Sequence, residues 1–490
     1  MCPRFALANT GARKWLQVAK YQSKRSKPRT TAEPKVFENT DQPTLEGRNM
    51  KDKLNIVIVG GGSTWCPGIL KALTKHMDIL PLNRVMLYDI DAERQRPIGE
   101  FGKILFAEEE PGVEFGYTTD KDEAYTDVDF VLCQIRTGGY EMRSKDEKIP
   151  LHMGIIGQET VGPGGMAYGM RSMHDMVEIV NDVRAHSPEA WIINYTNPAA
   201  IVAYGLERVL PDEHRVLNIC DQPVNLMRSY GRLLGRDMSK TEPVYFGLNH
   251  FGWFKHIYDE EGHDLVPQIK EYTEKNGFLP ADAEQRDQSW LDTYAMVKDM
   301  LEDFPDYLPN TYLQYYLYPE YKVAHLDPDY TRSDEVINGR EKRVFAECER
   351  VAKVGTAKNS SVVQNDAHGD MIVEITSAIY RNTNKTFIVI VPNNGIIEGM
   401  PDDAMVEVAA SVGANGPQPY AVGKIGTFYR GLMENQYAYE RLTVEAWMEG
   451  SYEKALQALT LNRLVGDAKK ARKVLDKLIE ANKDYWPELK

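Results

Sequence analysis

The sequence predicts an α/β fold, a doubly wound parallel sheet followed by a mostly helical α+β C-terminal lobe. Three observations carry that prediction. Short β-branched runs alternate with helix-length segments over about 170 residues, the pattern of strands joined by crossover helices. The first run ends in a glycine-rich loop and a helix start, and the second ends in an acid. Beyond Phe246 the segments become longer, more aromatic and more helical in spacing.

The elements follow in order. Leu54 to Val59 (LNIVIV) reads as a strand that feeds Gly60-Gly61-Gly62-Ser63-Thr64. Pro67 and the stretch from Gly68 to Leu73 start a helix, because Pro fits the first turn. Arg84 to Tyr88 is a second strand, ended by Asp89-Ile90-Asp91, and Ala92 to Phe106 a helix. Strands are expected at 113–117, 128–135, 190–194 and 216–219, with helices at 172–185 and 199–209 between them. Later, Thr386 to Val391 is one strand-like run, and Val474, Leu475, Leu478 and Ile479 recur at helical spacing. There is no internal repeat. The order is that of a Rossmann-type sheet with the two-part plan of lactate and malate dehydrogenases. The expected organisation is an N-terminal extension over 1–52, an NAD-binding unit over 53–245 and a catalytic and oligomerisation unit over 246–490.

Composition narrows the function. At 490 residues with a net charge of −14, the chain is not built as a general nucleic-acid or anionic-membrane binder. No continuous apolar run reaches the roughly 18 residues of a membrane span. Cys2, Cys66, Cys133, Cys220 and Cys348 are scattered and odd in number, which fits a reducing cytoplasm. Residues 1–50 carry ten basic and four acidic side chains, the composition of a transit peptide. The simpler reading is a disordered extension or an upstream start, with Met50-Lys51-Asp52-Lys53 as the natural beginning.

Two constellations bear chemistry. Gly60, Gly61 and Gly62, followed by Ser63 and Thr64, let the backbone approach a pyrophosphate at a helix start. The third glycine of the G-x-G-x-x-G pattern is replaced by Trp65. Asp89, closing the second strand, suits the ribose hydroxyls and opposes a 2′-phosphate, so the expected cofactor is NAD; a plain tight turn beside a solvated Asp is the alternative. Cys220-Asp221 closes the run Arg215 to Ile219, at a strand end that faces the ligand crevice of such sheets. With His250 in Gly247-Leu248-Asn249-His250, Cys220 can hold one divalent ion and leave positions open for a substrate. Taken separately, Cys220 and His250 also fit a buried core.

Over Ile56 to Leu489 the chain resembles glycoside hydrolase family 4, most of all its 6-phospho-α-glucosidase branch. The stretches that carry the likeness include VGGGST, LYDIDAERQ, GQETVGPGGMAYGMRS, NYTNPAAIVA, NICDQP, GLNHFGW, LPNTYLQYYLYP and YTRSDEV. The family departs from the two-carboxylate rule of glycosidases. The resemblance implies NAD- and metal-dependent hydrolysis of a 6-phospho-α-glucoside resembling maltose 6′-phosphate, yielding glucose 6-phosphate. The route is oxidation at C3, loss of the C2 proton and elimination at C1, so NAD is recycled. It also implies roles. Cys220 and His250 hold a divalent ion, commonly Mn²⁺, and Asp221 protonates the leaving oxygen. Tyr312 takes the C2 proton; because a phenol ordinarily titrates at roughly 10, such a base needs nearby positive charge, which the metal and Arg332 could supply. Arg143, Asn197 and Arg332 bind the phosphorylated disaccharide. Asn197 could otherwise cap the helix that follows it. Cys220-Asp221-Gln222-Pro223 departs from the branch's Cys-Asp-Met-Pro at Gln222, which bears on the aglycone. A homodimer or homotetramer is the family expectation. The alternatives are an α-galactosidase or 6-phospho-β-glucosidase of the same family, an NAD-dependent 2-hydroxyacid dehydrogenase, or an NAD-sensing protein.

Overall fold

The computed structural model describes residues 51–360 and 367–490. The extension expected over 1–52 therefore lies, up to residue 50, outside the described residues. Twelve strands are formed: β1 (Leu54–Val59), β2 (Leu82–Tyr88), β3 (Glu114–Thr118), β4 (Phe130–Cys133), β5 (Trp191–Asn194), β6 (Val216–Asn218), β7 (Glu242–Leu248), β8 (Phe251–Tyr258), β9 (Leu308–Pro309), β10 (Lys385–Pro392), β11 (Met405–Gly413) and β12 (Gly416–Pro419). Nine of them make one sheet in the order β12-β11-β10-β6-β5-β4-β1-β2-β3, and β7-β8-β9 make a second.

The six strands β1 to β6 are parallel, in the order 3-2-1-4-5-6. The apolar run of β1 is continuous because helices cover both faces of the sheet. Leu54, Ile56 and Ile58 pack on one face with the helices Cys66–Lys75 and Ala92–Glu109. Val57 and Val59 pack on the other with Met176, Val180 and Val202. Successive side chains of one strand thus feed opposite cores, as the pleat requires. Chain order reverses between β1 and β4, so the loops after these strands open a crevice at the strands' carboxyl ends.

Three differences from the sequence expectation have physical causes. The helix expected at 172–185 runs from Gly162 to His186. Its first turns, GPGGM, read as loop, yet Gly165 is required there: a Cβ would meet the Thr160 carbonyl oxygen at 2.7 Å. The strand expected at 128–135 is shorter, β4 ending at Cys133. Just beyond it, the Ile135 N–H donates to Thr196 Oγ1 at 3.2 Å rather than to a strand neighbour. Finally, 386–391 is not the single late strand. β10 pairs antiparallel with β6 and β11, and β12 closes the edge, so residues beyond 246 extend the parallel sheet into a mixed one. Buried Glu407 within β11 and the Pro-Gly content of β12 hid both from pattern reading.

Candidate functional site

A cavity of about 800 Å³ opens at the carboxyl ends of the parallel strands. Its lining brings together Arg143, Asn197, Cys220, Asp221, His250, Tyr312 and Arg332. Those side chains come from widely separated segments, and each is placed by a local device.

Cys220 lies between β6 and the helix Gln222–Leu234. His250 occupies the β7–β8 turn with φ 60, a left-handed conformation uncommon for a side-chain-bearing residue. The turn delivers His250 Nε2 to 3.4 Å from Cys220 Sγ. Sulfur and nitrogen ligands of one ion sit about 3.1–3.6 Å apart for bonds of about 2.3 and 2.1 Å, so the pair fits a shared metal. The other ring nitrogen, Nδ1, lies 3.1 Å from Thr160 Oγ1, which orients the imidazole. Burial lowers His250 to about 4 and keeps it neutral, the form that ligates. Burial, then the Glu407 and Asp221 carboxylates, push the Cys220 thiol well above its ordinary value. A thiolate there needs a cation beside it. Among the described residues, the one group of three clustered potential ligands is elsewhere, at His174, Asp175 and Glu178.

Tyr312 precedes the short helix Leu313–Leu317, its backbone N–H held by Asn310 Oδ1 at 3.0 Å. Its ring stacks on His250 with centroids 4.2 Å apart. Burial, Tyr315, Glu159 and Cys220 raise its pKa well above the ordinary phenol value, while Arg143 opposes them. This corrects the expectation that Arg332 activates Tyr312. Arg332 is bound by Asp287 Oδ2 at 2.6 Å and Glu335 Oε2 at 2.7 Å, and acts on Tyr315. The cation with the largest effect on Tyr312 is Arg143.

Arg143 is buried on the helix Gly139–Leu151, with Nε 2.8 Å from Glu147 Oε1 and 3.2 Å from Glu159 Oε2. Glu159 also takes Arg136 at 2.5 Å. Against burial, these two guanidiniums, with a smaller contribution from Arg340, hold Glu159 down at about 2. Asn197 is not a helix cap: the helix Ala199–Val209 has Pro198 at that position and no side-chain cap. Asn197 Oδ1 is buried without a hydrogen-bond partner among the described residues, leaving an acceptor for a ligand.

The glycine loop sits beside the cavity. Gly60 has φ +87, and a Cβ there would meet the Gln134 carbonyl oxygen at 2.7 Å. A Cβ on Gly62 would lie 3.0 Å from Asp89 Oδ2. Asp89 itself holds the loop, accepting from the Gly62 N–H at 2.8 Å and the Asp91 N–H at 3.0 Å. Each of its oxygens keeps a lone pair for a ribose hydroxyl. Ser63 Oγ accepts from the Trp65 N–H, and Thr64 Oγ1 is buried without a partner among the described residues. A loop of this closeness at the start of Cys66–Lys75 fits a dinucleotide diphosphate. Trp65, in the place of the third glycine, continues from the loop into the cavity wall.

Sequence reasoning missed several participants. Glu159, Thr160 and Arg136 lie in loops with no pattern of their own. Buried Glu407 accepts from Asn249 Nδ2 at 2.9 Å, and burial raises it to about 8. His368 approaches Asp221 at 4.0 Å. Gln222, which the sequence marks for another role, donates through Nε2 to Thr311 Oγ1 at 2.5 Å, joining the Asp221 segment to the Tyr312 segment. Glu159 and Thr160 stand in the stretch Gly157 to Thr160 and Glu407 in the stretch Asp403 to Val408 (DAMVEV), and neither shows a periodicity that marks function.

A dinucleotide loop, a two-ligand metal pair and a sugar-sized polar cavity on one sheet define an enzyme that joins redox and metal chemistry at a single substrate. The chain matches "Family 4 glycosyl hydrolase" over residues 55–235 and "Family 4 glycosyl hydrolase C-terminal domain" over 245–465. It belongs to glycosyl hydrolase family 4. A maltose-6′-phosphate glucosidase of Fusobacterium mortiferum is 47% identical over 441 residues, which is 89% of this chain and all of that one. A 6-phospho-α-glucosidase from gut microorganisms, solved in complex with NAD and Mn²⁺, is 58% identical with a TM-score of 0.88. It aligns over 89% of this chain and 100% of its own. Another, solved with NAD and glucose-6-phosphate, is 43% identical with a TM-score of 0.85, over 89% of this chain and 100% of its own.

Proposed function

We propose that the chain hydrolyses 6-phospho-α-glucosides of the maltose 6′-phosphate kind, releasing glucose 6-phosphate, with NAD and a divalent ion such as Mn²⁺ as cofactors. The observation that carries this reading is the Cys220–His250 pair, 3.4 Å apart, with Tyr312 stacked on His250 and Asp221 beside Cys220. When bound, the dinucleotide supplies reversible oxidation at sugar C3 and the ion supplies Lewis acidity at the neighbouring oxygens.

The chain's own residues do the rest. Cys220 Sγ and His250 Nε2 hold the ion, and Thr160 fixes the imidazole. Tyr312 Oη takes the proton from C2, which a C3 ketone acidifies, with Arg143 favouring the phenolate. Asp221, partly exposed to the cavity, gives its proton to the glycosidic oxygen as the C1–O bond breaks. Asn197 Oδ1 accepts from a sugar hydroxyl, and Arg143 and Arg332 contribute positive charge toward the phosphorylated sugar. Gly60, Gly61, Gly62, Ser63, Thr64 and Asp89 seat the dinucleotide.

Maltose 6′-phosphate and related names on the relatives support the α-linked substrate. The reading places the enzyme in the cytoplasm as a homodimer or homotetramer. Cys66, Cys133, Cys220 and Cys348 are free and buried, in keeping with a reducing compartment. Among the described residues no helix is long and apolar enough to cross a membrane.

The test supplies p-nitrophenyl α-glucoside 6-phosphate with Mn²⁺ and trace NAD⁺ under reducing conditions. Many nitrophenol turnovers per NAD⁺, without net NADH, are expected. Activity surviving both chelation and NAD removal would sink the mechanism. Stoichiometric NADH would instead mark a dehydrogenase, and activity confined to unphosphorylated sugars would overturn the substrate class.

A further inference from the structure

The cavity's cations are unequally matched. Five arginines line it: Arg136, Arg143, Arg286, Arg332 and Arg340. Arg136 and Arg143 share Glu159, Arg286 pairs with Asp282 at 2.7 Å, and Arg332 is held by Asp287 and Glu335. Lys322 feels the nearby Asp292 carboxylate. Among the described residues Arg340 has no carboxylate within ion-pair distance: the charge it acts on, Glu159, is already shared by Arg136 and Arg143, and its own Nε is buried without a hydrogen bond. The adjacent carboxylate is committed elsewhere, since Glu341 Oε1 accepts from Arg94 at 2.6 Å.

Local structure explains how Arg340 reaches the cavity. Ile337–Glu341 is one π-helical turn between the helices Arg332–Val336 and Lys342–Val354. Such turns recur at functional sites because the extra residue re-aims its side chains. The guanidinium carbon lies 4.4 Å from the centre of the Trp65 ring. The Tyr140 hydroxyl is its hydrogen-bonding neighbour. One face of the planar cation therefore rests on an indole, and its edge remains for a ligand. Burial and the like charges of Arg143 and Arg332 both disfavour this cation, so an arriving anion relieves the site.

We propose that Arg340 is a phosphate-binding residue, presented by the π-turn and Trp65 to a ligand phosphate at the mouth of the glycine loop. The inference rests on the proposed function, in which both ligands carry phosphate: the dinucleotide through its diphosphate and the sugar through its 6-phosphate. A planar guanidinium meets two phosphate oxygens with two parallel N–H donors. Trp65 follows Thr64 directly, which places the contact nearest the diphosphate.

The experiment uses the full chain as Arg340→Met and Arg340→Lys. NAD⁺ binding is read from quenching of tryptophan fluorescence without substrate, and KM for p-nitrophenyl α-glucoside 6-phosphate at saturating NAD⁺. Arg340→Met should weaken one of these by about tenfold or more, the cost of a charge-assisted pair. Arg340→Lys, which keeps charge but not the fork, should lie between variant and parent. A raised NAD⁺ Kd with KM within about twofold assigns the cofactor diphosphate. A raised KM with unchanged Kd assigns the sugar phosphate. Both constants within about twofold of the parent, at unchanged Tm, overturn the inference. Should Arg340→Met fail to fold, Arg340→Lys carries the test: a rise of about threefold or more in one constant supports it, and unchanged constants overturn it. Because NAD⁺ binding is read without turnover, a parent that binds NAD⁺ but hydrolyses nothing would sink the proposed reaction and leave the cofactor arm intact.

Discussion

The glycine loop proposed to seat the dinucleotide and the cavity proposed to be catalytic sit on the same strand ends but are built in opposite ways. The loop comes from one contiguous stretch, β1 to Asp89, and its geometry is made by backbone: a left-handed Gly60, close approach at Gly62, and a carboxylate bonded to loop N–H groups. Apart from Trp65, the cavity gathers side chains from segments between Arg136 and Arg340, and its geometry is made by charge and ring contacts. A backbone-made site fails when a Cβ is added. A side-chain-made site fails when one partner is removed. The two should therefore break independently, although the reaction needs both.

The largest effect is expected in the cavity. Cys220→Ser should abolish turnover and weaken Mn²⁺ binding by more than the ~100-fold that loss of an outer partner costs. NAD⁺ affinity should stay near that of the parent. Asp221→Asn should keep the metal and lower kcat on maltose 6′-phosphate by about 10²–10⁴. Its loss on the nitrophenyl substrate should be much smaller, because nitrophenolate leaves without a proton. Calorimetric Mn²⁺ titration and the two substrates side by side provide the readout. Equal losses on both substrates would remove Asp221 as proton donor.

This contrast also explains what could be read from sequence. The loop was legible because strand, glycines, helix and acid lie within one βαβ stretch, where spacing alone carries meaning. Cys220 was legible as a strand end, since parallel strands point their carboxyl ends at a crevice. Tyr312 was not: it stands in an aromatic run, and only the family resemblance selected it. Arg332 was drawn to Tyr312 by the need of a phenol base for nearby positive charge, whereas folding holds it on Asp287 and Glu335, and Arg143 is the cation that most favours the phenolate. Glu159 and Glu407 become meaningful only once distant segments meet. β11 and the edge strand β12 stayed hidden for a related reason, their small, acidic and Pro-Gly content resembling loop.

The second prediction breaks the other half. Gly60→Val places a branched side chain at φ +87 against the Gln134 carbonyl oxygen, a strain of about 1–3 kcal/mol. NAD⁺ binding should weaken by about tenfold or more while Mn²⁺ binding holds. A parallel loss of Mn²⁺ affinity would show that the two sites are one mechanical unit.

A third, smaller effect concerns pH. Burial raises the Glu407 carboxyl from 4.5 to about 8, so the folded chain binds this proton more tightly than the unfolded one. Its stabilising contribution is full below about pH 4.5 and is lost as pH rises through 8. Glu407→Gln removes that dependence, so its Tm should change less than the parent's between those pH values. Parallel Tm profiles for parent and variant would mean that the burial cost is met by another group.

The smallest expected effect falls where the cavity's two proton-handling segments touch. Gln222 opens the helix after Asp221, and its Nε2 donates to Thr311 Oγ1, the neighbour of Tyr312. Gln222→Met keeps the volume but removes a buried neutral hydrogen bond worth about 1 kcal/mol. Tm should fall by a few degrees at most in a chain of this size. Removing the tie frees the acid segment from the base segment without touching the metal. Turnover of maltose 6′-phosphate, whose leaving group Asp221 is proposed to protonate, should then fall a few-fold, and turnover of the nitrophenyl substrate less. If both substrates keep the parent's kcat and KM, Gln222 only packs, and the alignment of acid and base rests on the Cys220–His250 pair and the His250–Tyr312 stack alone.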